Sequence, residues 1–207
     1  MIYRMLNSLR TIPSRVFLIF LLISIGYFIA FWPINSQGAK DQYMISVFEP
    51  DEFAQYSHPI SMLDQPASSL KGSIYRFVAY QHYYYGYPFY LYSAMGVLLP
   101  LKLLGLASTQ NMLLLYRQMV SLLPMMAALM LMIYVQTKFR SYLRSILLYL
   151  FLLTIPVVFQ NNTWWHPDSL VFFFVALTFY FLDADNLTFK KTSILLRWPV
   201  DWLPPRN

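Results

Sequence analysis

The chain has 207 residues, 58% of them hydrophobic and 12% charged, with mean hydropathy +0.47 and a net charge of +6. A soluble domain carries about twice that charged fraction, so an ordinary globular protein is excluded, as are disordered and collagen-like chains. Cysteine is absent, which removes a disulfide framework, a thiolate metal site and a cysteine nucleophile. What remains is a polytopic membrane protein.

A spanning helix needs about 20 mostly apolar residues to cross ~30 Å of hydrocarbon. Residues 16–34 supply 19 without a charge; Arg4, Arg10 and Arg15 precede them and Trp32 anchors the far end. No small-x-small cleavage site follows, so a retained anchor is expected, with the N-terminus in the cytosol. Further apolar stretches lie at 87–106, 112–135, 145–159 and 170–182. The first of these contains Pro88, Gly96 and Pro100 and begins among tyrosines. That suits a helix lying in the interface or dipping back into it against other protein; a kinked spanning helix is the alternative.

Without 87–106 the chain has four spans, and every basic cluster becomes cytosolic: the N-terminal arginines, Lys138/Arg140/Arg144 and Lys190/Lys191/Arg197. Ten bases and three acids then lie inside, five bases and six acids outside, in line with the positive-inside tendency. The basic excess is thus topological, and no nucleic-acid partner is expected. The expected fold is an all-α polytopic membrane protein with about four transmembrane helices and interfacial helices in the first outer loop. Residues 1–34 form the N-terminus and first span, and 35–111 the outer loop. Three more spans, with a short outer loop at 160–168, occupy 112–185, and 186–207 form a cytosolic tail.

Five of the nine acids sit in the first outer loop, with Glu49-Pro50-Asp51-Glu52 the densest group. Adjacent carboxylates near a low-dielectric surface suit a catalytic base or a cation site. Proline and two acids also suit a plain helical first turn. His166-Pro167-Asp168 opens the fourth span after Trp164 and Trp165, either as ordinary helix-start chemistry or as a second acid facing the same pocket as Asp51. His82 stands in a tyrosine-rich stretch that suits a sugar or lipid headgroup, and equally an aromatic belt. Arg117, near the outer start of the second span, is either a snorkelling flank residue or a cation for phosphate. His58, His82 and His166 lack close ligand spacing, so no metal site is expected from them.

The order of these features resembles the N-terminal module of the C-type glycosyltransferase superfamily, especially the protein O-mannosyltransferase and aminoarabinose-transferase-like group. The residues that carry it are Pro50-Asp51-Glu52, the helix HYYYGYPFYLYSAMGVLLPLKLLG, the arginine in LLLYRQMVSLLP, the basic turn KFRSYLR and the HPD of the next outer turn. The resemblance covers about residues 4–185, and it implies a polyprenyl-phosphate-linked sugar as donor and inverting transfer at the outer membrane face. It implies Asp51 as catalytic base with Glu52 beside it, and Asp168 with His166 as the second acidic site. Arg117, Lys71, Arg76 and His82 would serve donor or phosphate binding. No cofactor is required, a divalent metal at Asp51 and Asp168 being an open alternative. The acceptor, whether protein, lipid or glycan, is left open, and the inner membrane of a prokaryote is expected. Such enzymes usually continue with more spans, whereas this chain ends at WLPPRN, so a truncated form is expected. The rival classes are a lipid or solute carrier, a non-catalytic membrane subunit, and an inactive remnant of the enzyme.

Overall fold

The computed structural model describes residues 14–38, 40–64, 69–72, 74 and 85–184, which are helical with no strand among them. Helix α1 is Ser14–Asn35. Two short helices follow, α2 (Gln42–Phe48) and α3 (Pro50–Asp64). Helix α4 covers residues 87–103, and α5 is Thr109–Thr137. Then come α6 (Tyr142–Leu153), α7 (Pro156–Asn162) and α8 (Asp168–Ala184).

Two helices, Val16–Asn35 and Thr109–Thr137, are long and apolar enough to cross a membrane, and α6 with α7 would make a third. Helix α1 turns Phe17, Leu18, Leu22, Ile25 and Ile29 outward, and only Val16, Phe20 and Phe31 of its large apolar side chains are buried. So much contiguous apolar surface is stable only where the surroundings are themselves apolar. Polar side chains join the helices instead: Ser24 Oγ lies 2.7 Å from Tyr149 OH, and Tyr27 OH donates to Leu153 O at 3.0 Å.

The stretch expected as one span at 145–159 is broken. Helices α6 and α7 meet at 67°, because Pro156 has no N–H to continue α6 and its ring drives the preceding residue out of helical space. Ile155 is accordingly extended, with φ −63° and ψ 129°.

Helices α4 and α5 each contain a π-helical segment, Tyr92–Leu98 and Tyr116–Leu122. In both, a proline follows two residues later, and both carry the pattern Leu-Tyr-x-x-Met-x-x-Leu-Leu-Pro, at 91–100 and 115–124. The proline explains the widening. It cannot donate to the carbonyl four residues back, whereas a turn closed over five residues passes that carbonyl on to the next N–H. The bonds before each proline already have that span, Leu99 N–H to Ala94 O and Leu123 N–H to Gln118 O. The two segments pack on one another. Helix α4 then stops in a Schellman turn: Gly105 takes φ 69°, and the N–H groups of Leu106 and Gly105 bond Leu101 O at 2.8 Å and Lys102 O at 3.1 Å.

Contacts fix which helix ends lie together. At one end the close of α1 meets the start of α5, the close of α7 and the residues before α8, through Arg117, Asn35, Asn162 and Trp165. At the other, Phe20 packs on Phe139 and Tyr149, Thr137 bonds Ser145 at 2.9 Å, and Lys138 pairs with Asp183. Helices α1, α5, α6–α7 and α8 therefore alternate in direction. Helices α2, α3 and α4 gather at the first end, where a separate apolar cluster around Ile45, Tyr56, Phe89, Tyr90 and Trp165 holds them.

Candidate functional site

Arg117 lies in the π segment of α5 and is 4% exposed. A guanidinium in that position is stable only if its donors are met. Glu52 takes two of them side by side, Nε to Oε1 at 2.9 Å and Nη2 to Oε2 at 2.5 Å, the fork geometry that makes such pairs strong. Nη2 also pairs with Glu49, and Nη1 donates to Gln37 O at 3.1 Å and Asn35 O at 3.4 Å. Gly38 permits this closeness. Its φ is +122°, and a Cβ there would stand 2.8 Å from Glu49 Oε1 and 3.1 Å from Arg117 Nη1.

Glu52 is fully buried and also accepts from the backbone N–H of Trp165 at 2.6 Å. The Trp165 ring is sandwiched between Phe89 at 5.2 Å and Tyr116 at 4.4 Å, and its Nε1 donates to Ser93 Oγ at 3.1 Å. One carboxylate thus joins α3, α5 and the segment between α7 and α8. Glu52 fixes the site's frame.

Beside this cluster is a cavity of about 360 Å³. Residues 48–52 and Arg117 line it together with Gln160, Thr163 and Trp164 from the close of α7 and the segment after it. Asp51 is exposed, and among the described residues its carboxylate has no hydrogen bond or ion pair. Glu49, at the junction of α2 and α3, is raised to about 8. Burial is the largest cause, followed by its hydrogen bond to Glu52 and by that neighbour's charge; Arg117 opposes them. Two carboxylates share one guanidinium, so a proton on Glu49 leaves the cluster neutral.

That proton links stability to pH. Folded Glu49 holds it more tightly than the unfolded chain does, so its contribution is complete below about pH 4.5 and is lost as pH rises through about 8. The melting temperature of the purified protein should fall across that window. The Glu49→Gln protein should show a shallower fall, and identical slopes would contradict the shared proton.

The candidate residues divide clearly. Asp51, Glu52 and Arg117 come together at the cavity. Arg117 is neither a snorkelling side chain nor a free cation, since buried protein acceptors engage it. Asp168 begins α8 and does not line the cavity; its side chain is 57% exposed, 3.1 Å from His166 Nδ1. His166 is instead wedged between Trp164 at 4.4 Å and Tyr85 at 4.8 Å. Asp168 is not among the residues that line the cavity with Asp51, and no group of three or more His, Asp and Glu side chains that could hold a metal is found among the described residues. His58 packs on Tyr90 at 5.0 Å, and burial lowers its pKa. Lys71 is exposed and outside the lining. His82 and Arg76 lie outside the described residues.

The sequence reading did not single out Glu49 as Arg117's second partner, nor Gln160, Thr163 and Trp164 as a cavity wall. The one available signal was the polar run Gln160–Thr163 between the apolar stretches 145–159 and 170–182. No protein-family model matches this chain, and no curated protein or solved structure matches it either, so the site is interpreted from its own geometry.

Proposed function

We propose that the chain is an integral membrane glycosyltransferase that moves a sugar from a polyprenyl-phosphate donor to an acceptor at the non-cytosolic face, with inversion. The observation that carries this reading is the acidic cavity beside Asp51. Its lining joins residues 48–52 to Gln160, Thr163 and Trp164, more than a hundred positions later, and it holds a carboxylate, Asp51, that no other described residue engages. Trp164 brings an aromatic side chain and Gln160 and Thr163 bring polar groups to the lining, a mixture suited to a pyranose.

In this scheme Asp51 takes the proton of the acceptor hydroxyl as that oxygen bonds to the anomeric carbon. The bond from that carbon to the phosphate oxygen breaks, and its electron pair leaves with the polyprenyl phosphate. Phosphate is a weak base, so the departing group needs positive charge nearby and no proton donor. Among the described residues, Arg117 is the cation that lines the cavity. Glu52 acts through Arg117 and Trp165 as a positioning residue. The rival reading, a non-catalytic subunit or inactive form, draws on the engagement of Arg117 by protein acceptors. Membranes containing the chain, given a labelled polyprenyl-phosphate sugar and a panel of peptide, lipid and glycan acceptors, separate the two. Release of polyprenyl phosphate with labelled product supports transfer, and its absence across the panel supports the rival.

The same proposal has four crossings and a cytosolic N-terminus. Helix α8 has 17 residues, a length of roughly 26 Å at the usual rise, close to the ~30 Å hydrocarbon layer. Helices α6 and α7 together make one broken crossing, and α4 packs at the cavity end as an interfacial helix. Single cysteines test this on a chain that has none of its own. An impermeant maleimide should reach Ser57→Cys and Gln110→Cys from the non-cytosolic side and Ser141→Cys only from the cytosol; all three positions are exposed. Outside labelling of Ser141→Cys would overturn the four-span arrangement.

A further inference from the structure

The acceptors around Arg117 differ in their freedom to move. Glu52 is fully buried and holds the Trp165 N–H as well. Asn35 and Gln37 contribute backbone carbonyls at the close of α1. Glu49 is different: it belongs to neither α2 nor α3, its side chain is 23% exposed, and it stands on the cavity wall. Of these acceptors it is the one whose side chain is partly exposed and set outside a helix. Gly38, lacking a side chain, lies directly against the Glu49–Arg117 contact.

A carboxylate oxygen on a guanidinium Nη is chemically close to a phosphate oxygen in the same place, since both are anionic acceptors of a charge-assisted hydrogen bond. We propose that Glu49 is a stand-in acceptor: without donor a side-chain carboxyl oxygen of Glu49 occupies the place on Arg117 Nη2 that a phosphodiester oxygen of the lipid-linked donor takes, and the donor displaces it. The inference rests on the glycosyl-transfer reading and adds to it a competition at the arginine. A donor without an anion would have nothing with which to displace Glu49, so the exchange selects for a phosphate ester. The acidic wall that remains, Asp51 and Glu52, keeps the arginine's charge from attracting anions indiscriminately.

The groups facing Glu49 are Asp51 and Glu52 from α3 and Arg117 from α5; Gln160, Thr163 and Trp164, which also line the cavity, do not titrate. Protonated Glu49 holds Arg117 less firmly than the carboxylate does. Displacement is therefore easier below the Glu49 pKa, which its burial and the neighbouring Glu52 raise to about 8.

The test uses the full chain in phosphatidylcholine nanodiscs and equilibrium binding of labelled farnesyl methyl phosphate, a phosphodiester whose single charge does not change over the range. Farnesol is the uncharged control. The parent should bind the ester more tightly than farnesol, and more tightly as pH falls through about 8. Glu49→Gln should bind the ester about tenfold more tightly than the parent at the upper end of that range, with little change across it. Glu49→Asp, whose shorter arm keeps the charge, should restore part of the pH dependence. If parent and Glu49→Gln bind the ester with equal affinity and the same pH profile, the stand-in role is overturned and the transfer reading survives. If neither protein prefers the ester to farnesol, the phosphate-donor reading falls and takes this inference with it.

Discussion

Asp51→Asn should lower sugar transfer by about 10²–10⁴-fold, the range expected on removal of a general base, while leaving the melting temperature close to that of the parent. The two halves of this expectation have one origin. Asp51 is exposed and, among the described residues, free of hydrogen bonds and ion pairs, so its charge serves the fold only through its place in the first turn of α3. Substitutions at such surface positions usually change stability by no more than about 0.5 kcal/mol. Asn keeps the shape of Asp and removes only the proton acceptor. Asp168→Asn is the matched control, since Asp168 lies outside the cavity lining beside His166, and it should retain transfer within a few-fold. The measurement is label transfer from polyprenyl-phosphate sugar at saturating donor, with melting curves for each protein. An Asp51→Asn protein as active as the parent would remove Asp51 from the mechanism, and equal losses in both variants would return the second acid to it.

Much of the helical layout was legible because it depends on local physics. The charge-free run at 16–34 and the run at 112–135 correspond to α1 and to most of α5, which starts three residues earlier because Ser108 caps it, accepting from Asn111 N–H at 3.3 Å. The bend before Pro156 was equally local, and an apolar average over 145–159 hides it. The π segments are a different case. Hydrophobic periodicity does not separate a turn closed over four residues from one closed over five, so the repeated Leu-Tyr-x-x-Met-x-x-Leu-Leu-Pro pattern is visible in the sequence while its geometry is not.

The site was legible in its residue types and illegible in its pairing. Asp51 and Glu52 are neighbours in a helical first turn, and successive side chains there point about 100° apart, so one faces the core and the other solvent. Nothing local says which. Arg117 meets Glu52 and Glu49 across 65 and 68 residues of chain, and only the assembled helices bring them together. One reading of Asp168 has it join Asp51, because both lie in loops that leave the membrane on the same face. The short segment before α8 spends that proximity on Trp165, whose N–H goes to Glu52, and turns Asp168 toward His166 and solvent.

The other large effect concerns Glu52. Glu52→Ala should destabilise the protein by about 3–5 kcal/mol, the usual cost of breaking a buried ion pair from one side. The substitution removes both forked hydrogen bonds from Arg117 and the acceptor of the Trp165 N–H at once. Glu52→Gln should cost less, about 1–3 kcal/mol, because its amide oxygen still accepts from Trp165. Arg117→Met in the Glu52→Leu background should recover part of the loss, since no uncompensated charge then remains between the two positions. Recovery should stay incomplete, because the Trp165 N–H keeps no partner in an apolar setting. Reversible unfolding in mixed micelles measures each protein, and the cycle of parent, Glu52→Leu, Arg117→Met and the double variant isolates the coupling between residues 52 and 117. If Glu52→Ala costs less than about 1 kcal/mol, as an exposed pair would, Glu52 does not tie α3 to α5, and the shape of the cavity beside Asp51 must have another source.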